Sequence, residues 1–441
     1  MSNKPFHVLI VGAGPAGLAT ALALTKNTPA TPSATSSPLR ITVVELRDGV
    51  QTLGGAVNLT PLALRYLDWL GVGEKLRPQA STVSAIEIVG HRTGQLLGRM
   101  WPGVDAVRVQ RRVLVEAMRD AIYEVAQTDD QRIEILYGTK IREIKEFGKV
   151  NEQDGGMQVA FINNTTGEDG CTLEADIVVG CDGIHSQIRN AVIEPTRQKT
   201  YSGRCNSYGY ADLRKSNISP ERLQEWIRAD GGPLVTDTSL IFKGSESLLI
   251  TYYEPSHQQL YLAFVNSMEE KTDMREGWAA HGADKAGIKK QIKETFEGGK
   301  LPCLSEIIDL CHEWFFFPVY MLPLEGTWYK GRAIVIGDAA HAMPPQGEST
   351  GIAIEDGVLL ARVLSRRTTK TIDSIFADFE TLRRPDIREF YKETMSRWNA
   401  KAPGGWLGNI AMDWFTWGFL KLMGLRKDYF GRDVRNRELP E

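Results

Sequence analysis

Four short, predominantly apolar runs punctuate the chain, at residues 7–11, 41–44, 175–180 and 333–336. None alternates polar with apolar positions, so each reads as a strand covered on both faces, as in a parallel sheet flanked by helices. Helical patterns follow at residues 18–24, 352–365 and 372–398, the last expected to be interrupted at Pro385. Thr60 as N-cap and Pro61 at the first position open another helix, with Leu64, Leu67 and Leu70 on one face and Gly71 at its end. A further helix is expected over residues 108–121, carrying Arg111 near its start. Short alternating runs at 135–137 and 157–162 predict antiparallel strands. From about 201 to 323, strand-like runs (205–210, 248–253, 259–265) alternate with charged helical pieces such as 285–296. The pattern predicts an α/β protein, with a Rossmann-like nucleotide-binding domain in two parts, 1–200 and 324–400. An α+β substrate domain over 201–323 separates them, and an aromatic-rich helical tail occupies 401–441.

That tail crowds Trp406, Trp414, Phe415, Trp417 and Phe419 into residues 406–425, about the length of a membrane span. Asp413, Lys421 and four glycines favour a helix packed on the protein's own domains. The alternative is an interfacial helix making peripheral membrane contact. Composition narrows the class. With 441 residues, 42% of them hydrophobic and 24% charged, the chain can bury two cores. A net charge of −3 gives no electrostatic reason to expect nucleic acid. The five cysteines and seven histidines are scattered without CxxC or ligand spacing, so neither a disulfide framework nor a metal site is expected. No basic segment leads into an apolar stretch and cleavage site at the start, and a cytoplasmic location is expected.

The chemistry gathers at the ends of the apolar runs. Gly12, Gly14 and Gly17 form G-x-G-x-x-G between the first strand and its helix, the context that gives the motif meaning. Gly12 permits the tight turn, Gly14 lets backbone approach a pyrophosphate, and Gly17 lets helix and strand pack closely. Glu45 ends the second run, where it can accept hydrogen bonds from a ribose. Asp182 and Asp338 end the other two, and an acid at the carboxyl end of a buried strand is where α/β proteins hold ligands.

These motifs, with Asp182-Gly183 and Gly337-Asp338-Ala339-Ala340-His341 in order, resemble one family. The chain is similar to group A flavoprotein monooxygenases of the aromatic-hydroxylase type, related to salicylate and para-hydroxybenzoate hydroxylases. Trp328-x-x-Gly331-Arg332 and Ala353-Ile354-Glu355-Asp356 add to the match, which runs from His7 to about Arg384. The resemblance implies FAD as cofactor, NADPH or NADH as co-substrate, and O2 delivered through a flavin C4a-hydroperoxide to hydroxylate or epoxidise a small molecule. It assigns Gly12, Gly14, Gly17 and Glu45 to the adenosine end of FAD and Asp338 to the ribityl chain. Ala56 and Arg111 fall at the flavin side, and the loop ending at Gly351 would line the isoalloxazine. Asp182 would serve FAD and NAD(P)H in turn. Many relatives carry an arginine where Tyr208-Gly209 stands here, which implies a neutral or indolic substrate of secondary metabolism rather than a simple phenolate. Tyr208 and Tyr253, with Arg189 as the remaining charged group, are the catalytic candidates. The bland alternative for each tyrosine is a packed aromatic, and for Arg189 a salt bridge. A reductase or dehydrogenase on the same fold and a non-catalytic flavin-binding protein are the rival functions.

Overall fold

The apolar runs meet as neighbours in one sheet. The computed structural model describes residues 4–27, 38–51, 54–128, 132–148, 155–216, 218–271, 274–345, 347–399 and 430–441. The central sheet has the strand order Tyr329–Lys330, Ala333–Val335, Ile177–Gly180, Phe6–Val11, Leu39–Val44, Arg132–Leu136. All its pairs are parallel except the first, a tight antiparallel hairpin. The edge strand Arg132–Leu136 was expected to pair antiparallel with its successors, because residues 135–137 looked like part of an alternating run. The alternation instead reflects an edge position: Glu134 faces out to Arg40 and Thr42, while Ile133 is buried.

Helix Pro15–Asn27 lies against this sheet, buried from Ala16 to Leu24. Helix Ser349–Leu364 presses on it so closely that a Cβ on Gly357 would come within 2.7 Å of the Thr20 amide. Helix Ile372–Trp398 runs unbroken through Pro385, where an interruption was expected. Tertiary ties override the local penalty: Arg383 is anchored in buried carboxylates, and the Leu382 carbonyl beside the proline accepts from Arg437. Arg384 reaches the Gly326 carbonyl on the far side.

Residues 106–110 form a strand rather than a helical turn, since Val107 and Val109 alternate with Arg108 and Gln110. The helix therefore begins at Arg111. Ala106–Gln110 is the middle of a small antiparallel sheet, between Ala56–Leu59 and Ser81–Val83. A seven-stranded sheet faces it, in the order Trp314–Met321, Thr200–Asp212, Gln259–Ser267, Glu246–Tyr252, Thr238–Lys243, Ile86–Gly90, Leu96–Met100. Two of its strands come from ahead of residue 200. Thr139–Phe147, Gly156–Asn163 and Asp169–Ala175 make a separate antiparallel sheet.

Residues 430–441 return to the nucleotide-binding half. Arg65 donates to the Phe430 and Arg432 carbonyls, and the Val434 amide donates to the Tyr66 hydroxyl at 2.9 Å. The aromatic stretch 406–425 lies outside the described residues. No helix among the described residues is long and apolar enough to cross a membrane.

Candidate active site

The glycine motif forms a cradle at the carboxyl end of strand Phe6–Val11. Gly12 has φ +108, and a Cβ there would sit 2.5 Å from the Cys181 carbonyl oxygen, so only glycine fits. At Gly17 a Cβ would meet the Gly12 carbonyl at 2.0 Å. Gly14 differs: a Cβ would find nothing nearer than Arg111 Nη2 at 4.0 Å, so its backbone borders open space at the start of a 13-residue helix. That is the shape a pyrophosphate needs. Glu45 closes the adjoining strand end, accepting the Ala13 amide at 2.9 Å and the Arg47 amide at 3.1 Å.

Asp182 and Asp338 stand on the loops after the two neighbouring strands. Asp182 Oδ2 accepts the Gln187 amide at 2.6 Å, while Oδ1 is buried with no partner among the described residues. Burial raises its pKa against the pull of hydrogen bonds from its own loop. Asp338 is exposed in a cleft whose walls crowd it. This desolvation raises its pKa, while His341 and Arg111 oppose the shift. Gly337 before it has φ +59 and donates its amide to Asp356 Oδ2 at 2.8 Å.

Behind that loop lies an ionic cluster which composition could not reveal. Asp356 also accepts His341 Nε2 at 2.7 Å and Arg383 Nε at 2.6 Å. Arg383 Nη1 donates to Glu355 at 2.6 Å, and Tyr66 donates to Glu355 at 3.0 Å. Glu355, Asp356 and Arg383 are each 0% exposed. Burial would raise the Asp356 pKa, but His341 and Arg383 outweigh it and hold the carboxyl at about 2.

The seven-stranded sheet turns an aromatic face toward the cradle. Tyr208 stacks on Phe315 at 5.2 Å between ring centroids and on Phe317 at 5.6 Å. Tyr210 meets Tyr253 edge-on at 5.2 Å and packs on Tyr261 at 5.4 Å. Tyr208, Tyr253 and Tyr261 are buried with Ala56 against them. Tyr252 turns away and stacks on His257. The segment from Gly54 to Ala56 joins cradle to aromatic face. Tyr210 donates to the Gly54 carbonyl at 2.7 Å, the Arg111 amide donates to the Gly55 carbonyl at 3.2 Å, and the Arg111 stem packs on Gly54.

Most of the residues singled out from the sequence converge here. Gly12 abuts Cys181 beside Asp182, Gly14 faces Arg111, Glu45 holds the Ala13 amide, and Arg111 acts on Asp338, while Ala56, Tyr208 and Tyr253 pack in the aromatic cluster. Gly351 is buried in helix Ser349–Leu364, where a Cβ would lie 3.2 Å from Ala63. Arg189 makes no ion pair among the described residues. Its Nη1 donates to the Ala339 carbonyl at 2.8 Å and its Nη2 to the Ile184 carbonyl at 2.7 Å, bracing the Asp182 loop against the Asp338 loop. Beside it a recess of about 120 Å³ is lined by His185, Arg189, Arg197 and Lys199 among others. Sequence reasoning missed Tyr261, whose position opposite Tyr210 depends on strand register. It also missed Arg108, which was hidden by the helix expected over it.

The cradle fits FAD: open backbone at Gly14, a ribose-level acid at Glu45, and an unmatched buried oxygen on Asp182. With the aromatic cleft attached, fold and site define an FAD-dependent monooxygenase with the para-hydroxybenzoate hydroxylase-like fold. The FAD binding domain family matches residues 6–298, and the chain belongs to that family. It is an oxidoreductase of the group A flavoprotein monooxygenases. The chain is 26% identical over 399 residues to 6-hydroxynicotinate 3-monooxygenase of Pseudomonas fluorescens, covering 87% of this chain and 88% of that one. It is 27% identical over 412 residues to a salicylate hydroxylase of Pseudomonas putida, covering 89% and 85%. Among solved structures, HpxO of Klebsiella pneumoniae complexed with FAD and uric acid superposes with a TM-score of 0.72 at 18% identity, covering 95% of each chain.

Proposed function

We propose that the protein hydroxylates an electron-rich aromatic small molecule with O2 and NAD(P)H. One oxygen atom enters the substrate; the other leaves as water, and NAD(P)H supplies the two electrons. The observation that carries this reading is the direct junction, through Gly54 to Ala56, of a dinucleotide cradle with a cluster of aromatic rings. Bound FAD supplies the redox and oxygen chemistry. The protein's residues hold and shield. Gly12, Gly14, Gly17 and Glu45 seat the adenosine half, Asp338 accepts from the ribityl chain, and Arg111 flanks the flavin side. Tyr208, Phe315 and Tyr261 stack the substrate and exclude water. We place the phosphates of NAD(P)H at the basic recess of His185 and Lys199, next to Asp182. Residues 201–323 together with 81–110 make the substrate side of the molecule. The unpaired state of the five cysteines supports a cytoplasmic site of action.

The test is an absorbance spectrum of the purified protein, then NADPH addition with and without air. Flavin bands that bleach anaerobically and return with oxygen, with 18O from 18O2 in the product, are expected. Bleaching without 18O incorporation for any aromatic substrate would replace the reading with a reductase. A protein that takes up no FAD would overturn it.

A further inference from the structure

The small sheet contributes a cation beside the aromatic cluster, and no ion pair among the described residues neutralises it. In the antiparallel pair Ala56–Leu59 with Ala106–Gln110, Ala56 lies opposite Gln110 and Asn58 opposite Arg108. Residues directly opposite share a face, so Ala56, Asn58, Arg108 and Gln110 point together, and Ala56 fixes the direction because it packs on the tyrosine cluster. Val107, Val109 and Leu59 point the other way, into the main core. At the same edge, a Cβ on Gly55 would strike the Tyr261 hydroxyl at 2.4 Å, so the two sheets are in contact there.

Arg108 is only 5% exposed, yet among the described residues its side chain has no hydrogen bond or ion pair, and its Nε is fully buried. Its neighbour Asn58 is equally enclosed, and its Oδ1 has no partner among the described residues. Buried polar groups of this kind find partners in native proteins, and a buried guanidinium most of all, since leaving its charge unpaired is costly. Burial pulls the Arg108 pKa down to about 10, with only Tyr261 opposing, which is the signature of a cation without a counter-ion. Among the described residues no protein anion fills the role, and a ligand would.

We propose that Arg108 is the specificity-determining residue of the substrate side, binding the carboxylate or other anionic oxygen of an aromatic substrate, with Asn58 completing its polar contacts. Arginine suits the task because its planar fork matches a carboxylate and remains charged when buried. The inference rests on the cleft being the substrate site. It departs from the neutral substrate implied by Tyr208-Gly209, because the cation comes from a different strand and sheet from the one that carries Tyr208.

The test is calorimetric titration of the purified protein with hydroxybenzoates and hydroxypyridine carboxylates, each paired with its own primary amide. In the unmodified protein at least one carboxylate should bind about tenfold or more tighter than its amide, the ratio expected for a charged hydrogen bond. Arg108→Met should bring that ratio close to one, and Arg108→Lys should restore part of it, both with unchanged FAD content. If no carboxylate outbinds its amide, or if the ratio survives in Arg108→Met, the proposal is overturned. Should Arg108→Met fail to fold, a full ratio in Arg108→Lys and a collapsed one in Arg108→Gln decide in its favour, and an unchanged ratio in Arg108→Gln decides against it. Arg108-dependent carboxylate binding by a protein that never consumes O2 would sink the monooxygenase reading alone. Normal turnover by an anion-blind protein would sink this one alone.

Discussion

The Asp356 carboxylate accepts the Gly337 amide at 2.8 Å, and the next residue in the chain is Asp338, the acid we assign to the ribityl chain. A group on one helix thereby fixes the backbone that aims a group on another loop. The same carboxylate is held by His341 and Arg383, so the loop is supported by a charge network with no exposure to solvent.

Replacing Asp356 with Asn should therefore act on stability and on flavin together. The change neutralises one of three carboxylates around the buried Arg383, leaving Glu355 and Asp386 to share its charge, so the loss should stay below the ~3–5 kcal/mol of a fully broken buried pair. Denaturant titration should show that loss, and the variant should purify with less FAD. An unchanged midpoint and full flavin content would show that the network does not hold the loop.

The two acids should separate on acidification. Asp356 is depressed to about 2 from an ordinary 3.8, so its contribution is complete above about pH 4 and disappears as pH falls through 2. Asp338 is shifted upward by desolvation, so it takes up a proton at higher pH than an ordinary carboxyl and then accepts from a hydroxyl only as a weaker, neutral acceptor. Flavin release should begin at a pH where circular dichroism still reports a native fold. Simultaneous loss of both signals would refute this.

Tyr208→Phe should leave stability within about 1 kcal/mol, because the Gly54 backbone is the one polar group found near the hydroxyl among the described residues. Any change in coupling of NADPH oxidation to product then belongs to the substrate. A stability loss above about 1 kcal/mol would reveal a hidden partner for that hydroxyl.

Gly14→Ala and Gly17→Ala should fail differently. The first adds a methyl into open space and should fold with a near-normal melting temperature while binding FAD weakly. The second forces a methyl against the Gly12 carbonyl and should lower the melting temperature of the apoprotein itself. Equal melting temperatures for the two variants would contradict the packing described.

Much of the nucleotide side was legible because it rests on local rules. Apolar runs marked four of the five parallel strands, all but Arg132–Leu136, and glycine spacing with terminal acids marked the cradle. The aromatic cleft was legible only along one strand. Tyr208 and Tyr210 share a face by simple alternation, but Tyr261 joins them through a register set between distant strands. Arg108 was obscured because Val-Arg-Val-Gln runs directly into Arg111, and the alternation merged with the helix that follows. Pro385 misled for the opposite reason: a local breaker was outweighed by contacts from residues far away in sequence.

The docked segment 430–441 has a practical consequence. It is fastened by Arg65, Tyr66, Arg362 and Lys370, all from elements that precede residue 399. A single peptide-bond cleavage between residues 400 and 429 would leave two fragments sharing one fold, with the short one retained as a non-covalent ligand. A synthetic peptide of residues 430–441 would then serve as a reagent, able to rescue a chain shortened at residue 429.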